Sequence, residues 1–152
     1  MPAEDYRVTM GPMRREDLDQ IVTLEERCFA NPWSRYVFEA ALISPLVYTL
    51  VQRNNDEVLG YLMAFGQGPG IEIGNIAVAP EHRRRGLGHQ LMAEALRVAK
   101  EEGRRFAGLS VRESSAGAIA LYESFGFEQV GVSPGYYQSP PEDALLMRKD
   151  PL

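Results

Sequence analysis

Ile73-Gly74-Asn75-Ile76-Ala77-Val78-Ala79-Pro80-Glu81-His82-Arg83-Arg84-Arg85-Gly86-Leu87-Gly88 is the stretch on which the reading of this chain turns. Its first part is β-branched and small, which predicts a strand over 71–78, and Gly74 interrupts that strand where a bulge would sit. An arginine-rich, glycine-rich turn then opens a predicted helix from Gly86 to Glu102, with Leu87, Leu91, Ala95, Val98 and Ala99 on one face. The first turn of a helix carries unpaired N–H groups and a partial positive charge, so it suits a phosphate. Gly86 and Gly88 let the backbone approach a bulky pyrophosphate, and Arg83, Arg84 and Arg85 bring charge to the same corner. Such features are common singly, on solvated surfaces and in ordinary turns. Two nucleotide-binding classes are excluded: there is no G-x-x-x-x-G-K-[ST], and Leu91 stands where a dinucleotide fingerprint needs its third glycine.

Upstream, Tyr6–Met10 reads as an edge strand. The stretch from Arg15 to Phe29 places Leu18, Ile21, Val22, Leu24, Glu25 and Cys28 in a helical rhythm. Asn31-Pro32-Trp33-Ser34 breaks it, and Ser34 caps a second helix carrying Val37, Phe38, Ala41 and Leu42, closed by Ser44-Pro45. Val47–Arg53 and Val58–Phe65 predict a hairpin joined by the four residues 54–57, and Gly66–Gly70 predicts a flexible turn. Downstream, Gly103 suits the residue just past a helix, Phe106–Val111 a strand, and Ser115–Phe125 a helix stopped by Gly126. Phe127–Val132 and Ala144–Arg148 are the last strands, with a Pro- and Tyr-rich connection between them. A meander followed by strand–helix–strand–helix–strand predicts a mixed α/β sheet with helices on its faces.

The whole chain, 152 residues with 45% hydrophobic and 24% charged residues, fits a single folded domain spanning 1–152. No apolar run approaches the roughly 18 residues that cross a bilayer, which predicts no membrane partner. The opening Met1-Pro2-Ala3-Glu4-Asp5 lacks the apolar core of a signal peptide. A lone cysteine, Cys28, excludes an intrachain disulfide and any multi-cysteine zinc site; it reads as a buried small hydrophobe in a reducing, cytoplasmic setting. His82 and His89 lack a metal-ligand companion pattern, so no metal is expected. The net charge of −5 disfavours broad nucleic-acid binding and mildly favours a cationic partner.

Arg83-x-x-Gly86-x-Gly88 after Asn75-Ile76-Ala77-Val78, together with Ala118-Ile119-Ala120-Leu121-Tyr122-Glu123-Ser124-Phe125-Gly126-Phe127, resembles the GNAT superfamily of N-acetyltransferases. With Phe29-Ala30-Asn31-Pro32-Trp33-Ser34 and Tyr136-Tyr137 added, the chain is most similar to the ribosomal-protein alanine acetyltransferases of the RimI type, over nearly its whole length. The resemblance implies a twisted, mostly antiparallel sheet with two splayed parallel strands, and acetyl-CoA as co-substrate. It assigns the backbone of Ile76, Ala77 and Val78 to the pantetheine and acetyl carbonyl. The turn from Arg83 and Arg84 through Arg85, Gly86, Leu87, Gly88 and His89 would hold the pyrophosphate, and Ser115 falls where the family usually has a cofactor-binding asparagine. Tyr122 would protonate the leaving thiolate, although a tyrosine sharing a face with Ile119 and Phe125 is ordinarily a core residue. Asn31, Trp33, Tyr136 and Tyr137 would shape the acceptor site, the partner being a protein N-terminus of the ribosomal-protein kind.

One departure bears on mechanism. Relatives of this type carry a glutamate as general base on the strand before the tyrosine helix, and the matching residue here is Ser110. An α-amine, with pKa near 7.7–8.0, is roughly one-seventh neutral at pH 7, so lost deprotonation help costs only about 1 kcal/mol; a lysine, near 10.4, faces roughly 4–5 kcal/mol. Ser110 therefore favours an α-amine acceptor. Glu72, on the strand entering the slot, is the substitute base, acting through water, and Glu113 in the following loop is the weaker one. The rival readings are a small-molecule amine acceptor, a non-catalytic acyl-CoA-binding module, and RNA association through the arginine knot.

Overall fold

The computed structural model describes residues 7–152. One seven-stranded sheet runs through it: β1 (Thr9–Gly11), β2 (Val47–Asn54), β3 (Glu57–Gln67), β4 (Gly70–Val78), β5 (Phe106–Arg112), β6 (Glu128–Gln138) and β7 (Pro141–Lys149). Their order in space is β1-β2-β3-β4-β5-β7-β6, with β4–β5 the one parallel pair among the described residues. Four helices cover it: α1 (Leu18–Cys28), α2 (Arg35–Ala41), α3 (Leu87–Glu101) and α4 (Ala116–Ser124). The expected mixed sheet and its helix-covered faces are both present. Tyr6, the start of the expected edge strand, lies outside the described residues.

Alternation along the strands builds two cores. Leu62, Ala64, Ile71, Ile73, Ala107, Leu109 and Val111 point toward Leu91, Met92 and Ala95 of α3 and Tyr122 of α4. On the other face Val51, Tyr61, Met63 and Ala77 meet Leu18, Ile21 and Leu24 of α1 and Phe38 of α2.

Several boundaries move for physical reasons. The first helix begins as a 3₁₀ turn, Arg15–Asp17, and α1 proper starts at Leu18. The β2–β3 connection is a two-residue turn rather than four, because Asn55 adopts φ +56° and Asn54 pairs with Glu57. Gly68 at φ +56° closes β3–β4 equally tightly. The largest correction is β6, which continues past Val132 to Gln138 instead of giving way to a loop. Pro134-Gly135-Tyr136 bulge out of it between the pairs Ser133–Ala144 and Tyr137–Glu142, an arrangement that an edge strand tolerates.

Two irregularities open the site. Gly74 is the extra residue of a bulge, since Met63 pairs with Asn75 and Ala64 with Ile73. A Cβ here would lie 2.5 Å from the Phe65 ring and 2.7 Å from the Trp33 ring, so an added side chain would force those rings to move. Pairing of β4 with β5 then stops at Ile73–Leu109, while β4 runs on to Val78 and β5 to Arg112. Beyond that pair the two strands splay apart.

Candidate active site

The splay leads into a cleft of about 680 Å³. Its walls include Asn31, Trp33, Glu72, Ile76, Ser110, Ser115, Tyr122, Tyr136 and Tyr137, residues far apart in sequence. Because the slot passes between strands, it reaches groups from both faces of the sheet. Tyr122 belongs to the α3 side, whereas Glu72 and Ser110 alternate away from Ile73 and Leu109 onto the other.

Glu72 is half-buried, and burial raises its carboxyl above the ordinary value. It pairs across β4–β5 with Gly108, two residues before Ser110. Tyr122 is 7% exposed and packs against Phe127 at a centroid distance of 6.1 Å. Burial, with a smaller contribution from Tyr137, pushes its phenol up to about 12. The tyrosine is thus both a core residue and a wall of the cleft. Ser115 is the N-cap residue of α4, yet its hydroxyl makes no capping bond.

The two acceptor-side segments are tied together by Arg112, which the sequence reading passed over. Its Nη2 donates to Asn31 Oδ1 at 3.1 Å and to the Ser139 carbonyl at 3.3 Å. Its Nη1 donates to Glu142 Oε1 and to the Pro140 carbonyl, each at 3.1 Å, and the guanidinium lies 4.3 Å from the Tyr137 ring centroid. A lone arginine at a strand end carries no sequence signal for four such partners. Phe65 and Asn75, also cleft residues, were likewise legible only as strand positions.

At the other end of the slot, Arg84 at φ +66° and Gly86 at φ +75° curl the chain into the first turn of α3. Left-handed residues in such a turn are what lets consecutive N–H groups cradle a phosphate. The arginines do not act as one knot. Arg83 folds back, its Nε donating to the Val78 carbonyl at 3.2 Å and its Nη2 lying 3.6 Å from Cys28 Sγ, while Arg85 Nη1 is 3.3 Å from His82 Nδ1. The Val78 carbonyl is therefore already engaged. Ala77 buries its side chain and pairs with Tyr61 of β3, so its backbone turns toward that strand rather than the slot; Leu87 is buried too, and its carbonyl accepts from Gln52 Nε2 at 2.9 Å. His89 packs its ring on Phe125 at 4.6 Å. Cys28 is half-buried and lines the cleft rather than lying fully in the core. No group of His, Cys, Asp and Glu that could hold a metal exists among the described residues.

A parallel pair that splays past a bulge in β4, and an arginine- and glycine-rich turn opening α3, frame this cleft. The acetyltransferase (GNAT) family model matches residues 18–127, and the chain belongs to that family. It is an acetyl-CoA-dependent N-acetyltransferase. The relatives are specific: a Bacillus subtilis protein is 35% identical over 136 residues, 89% of this chain and 90% of its own. The N-alpha-acetyltransferase RimI of Mycobacterium tuberculosis is 33% identical over 156 residues, covering 99% of this chain and 97% of that one. The crystal structure of the ribosomal-protein-S18-alanine N-acetyltransferase from Escherichia coli superposes with a TM-score of 0.87 at 29% identity, covering 95% and 94% of the two chains. No helix among the described residues is long and apolar enough to cross a membrane.

Proposed function

We propose that the enzyme acetylates the α-amine of a protein N-terminus, an alanine-initiated ribosomal protein being the favoured acceptor, by direct attack on acetyl-CoA. The amine nitrogen bonds to the thioester carbonyl carbon, the C–S bond breaks, the amine proton passes through water to Glu72, and Tyr122 donates to the sulfur as negative charge develops there. A phenol held at about 12 keeps its proton at neutral pH, which is the form a donor needs. A half-buried carboxylate raised toward neutrality is a better proton acceptor than an exposed one.

The observation that carries this reading is the convergence of Glu72, Ser110 and Tyr122 on one cleft. The carboxylate absent at Ser110 is supplied from the neighbouring strand, on the same face. The turn from Arg84 to His89 and the free hydroxyl of Ser115 serve the coenzyme, and Ile76 offers it strand backbone. Asn31, Trp33, Tyr136 and Tyr137 face the acceptor. Glu113 follows the end of β5 and is exposed, which leaves Glu72 as the base.

Thiol release from acetyl-CoA, followed with a panel of N-terminal peptides and small primary amines, tests the proposal. Turnover is expected with peptides, highest for an alanine start. Turnover confined to small amines overturns it.

A further inference from the structure

Helix α1 carries a carboxylate within its apolar stripe. Glu25 is 0% exposed, and both of its oxygens are occupied. Oε1 accepts from the Tyr61 hydroxyl and from Asn75 Nδ2 at 2.9 Å; Oε2 accepts from Asn75 Nδ2 at 2.7 Å and from the Trp33 backbone N–H at 2.9 Å. A carboxylate with no exposure and no free lone-pair direction toward the cleft is no proton acceptor for an amine there. Removing such a group from water is costly, and an apolar side chain would pack α1 on the sheet without that penalty.

The origins of the donors suggest what the carboxylate does. Tyr61 belongs to the body of the sheet, Asn75 directly follows the Gly74 bulge, and Trp33 lies in the segment that walls the cleft. The Trp33 ring in turn fills the notch left by Gly74, where a Cβ would stand 2.7 Å from it. One side chain thus fastens the backbone of the acceptor segment to the strand that bounds the coenzyme slot.

We propose that Glu25 is a positioning residue: by anchoring the Trp33 N–H and Asn75 to one buried carboxylate, it sets where the acceptor amine lies relative to the thioester. The inference rests on the N-terminal acetyltransferase reading and deepens it.

Glu25→Gln tests it, because the amide turns a donor toward Asn75 or Trp33 at almost unchanged volume. The losses are read as KM for an alanine-initiated peptide and as calorimetric Kd for acetyl-CoA. Peptide KM is expected to rise about tenfold or more while acetyl-CoA Kd stays within about twofold, since hydrogen bonds to a buried charge are worth that much. The double variant Glu25→Gln/Asn75→Asp, in which the new carboxylate accepts from the new amide, is expected to recover most of the KM. A peptide KM within about twofold of the parent, or an equal loss of acetyl-CoA affinity, overturns the proposal. Should Glu25→Gln not fold, the double variant decides: a parent-like KM supports the anchor, and a raised KM in a folded protein overturns it. If the parent enzyme acetylates no N-terminal peptide, the functional reading itself fails, and amide exchange at Trp33 still reads the anchor. Faster exchange in the folded variant supports it; unchanged exchange overturns it.

Discussion

The carboxylate of Glu72 rests over Gly108 of the neighbouring parallel strand, so closely that a Cβ at residue 108 would stand 3.0 Å from Glu72 Oε2. Glycine at this position leaves the carboxylate its place in the cleft. Gly108→Ala is expected to shift that carboxylate by a few tenths of an ångström and to lower turnover about three- to tenfold, and Gly108→Val to lower it further. Acetyl-CoA affinity should hold in both. Steady-state kinetics beside calorimetry check this, and a variant with parental turnover contradicts the assignment of Glu72.

Burial holds the Glu72 carboxyl above its ordinary value, so the folded protein keeps a proton there at pH values where the unfolded chain has lost it. Its contribution to stability is therefore greatest below the unfolded value and declines as pH rises through the folded one. Glu72→Gln removes that decline. The variant is expected to gain stability over the parent as pH rises above the unfolded carboxyl value, read from urea midpoints, while losing about a hundredfold in turnover. A parent-like pH profile of stability would count against a buried carboxylate.

Tyr122 stands in the core and at the cleft wall at once, so its hydroxyl and its ring separate by experiment. Tyr122→Phe keeps the ring packing on Phe127. It should reduce kcat by about 10²-fold or more, as expected for loss of a general acid, with little change in acetyl-CoA Kd. Equal losses in both would reduce the tyrosine to packing.

Glycines at two helix starts make opposite predictions. Gly86 sits at φ +75° with open space around it, so Gly86→Ala meets no clash but strains the backbone by about 1 kcal/mol and disturbs the turn proposed to face the pyrophosphate. Melting temperature and acetyl-CoA affinity should both fall. Gly117, early in α4, has equally open space and no left-handed φ, so Gly117→Ala should stabilise by about 0.5 kcal/mol. Thermal melts of the pair check both signs.

Local rules made much of this legible. A glycine within an apolar strand marked the bulge at Gly74, and the Arg83–Gly88 turn marked the start of α3, because both depend on a few adjacent residues. What stayed hidden depends on distant ones. The length of β6 is set by pairing with β7, which carries it through Pro134 in spite of the local turn signal. Arg112 gains its meaning only when Asn31 and the residue 139–142 corner arrive beside it. Glu25 showed its position in the α1 rhythm, but its partners come from three other segments. Cleft residues were named where they share a motif and missed where they share only a location.

The central claim is that a site with Ser110 in place of a glutamate, and Glu72 beside it, acts on α-amines. Mass spectrometry of two peptides decides it most directly, one with a free alanine terminus and no lysine, the other with a blocked terminus and a single lysine. At neutral pH the acetyl group is predicted on the first at about a hundredfold or more the rate of the second, in line with the difference in amine deprotonation. Faster acetylation of the lysine peptide would contradict the account.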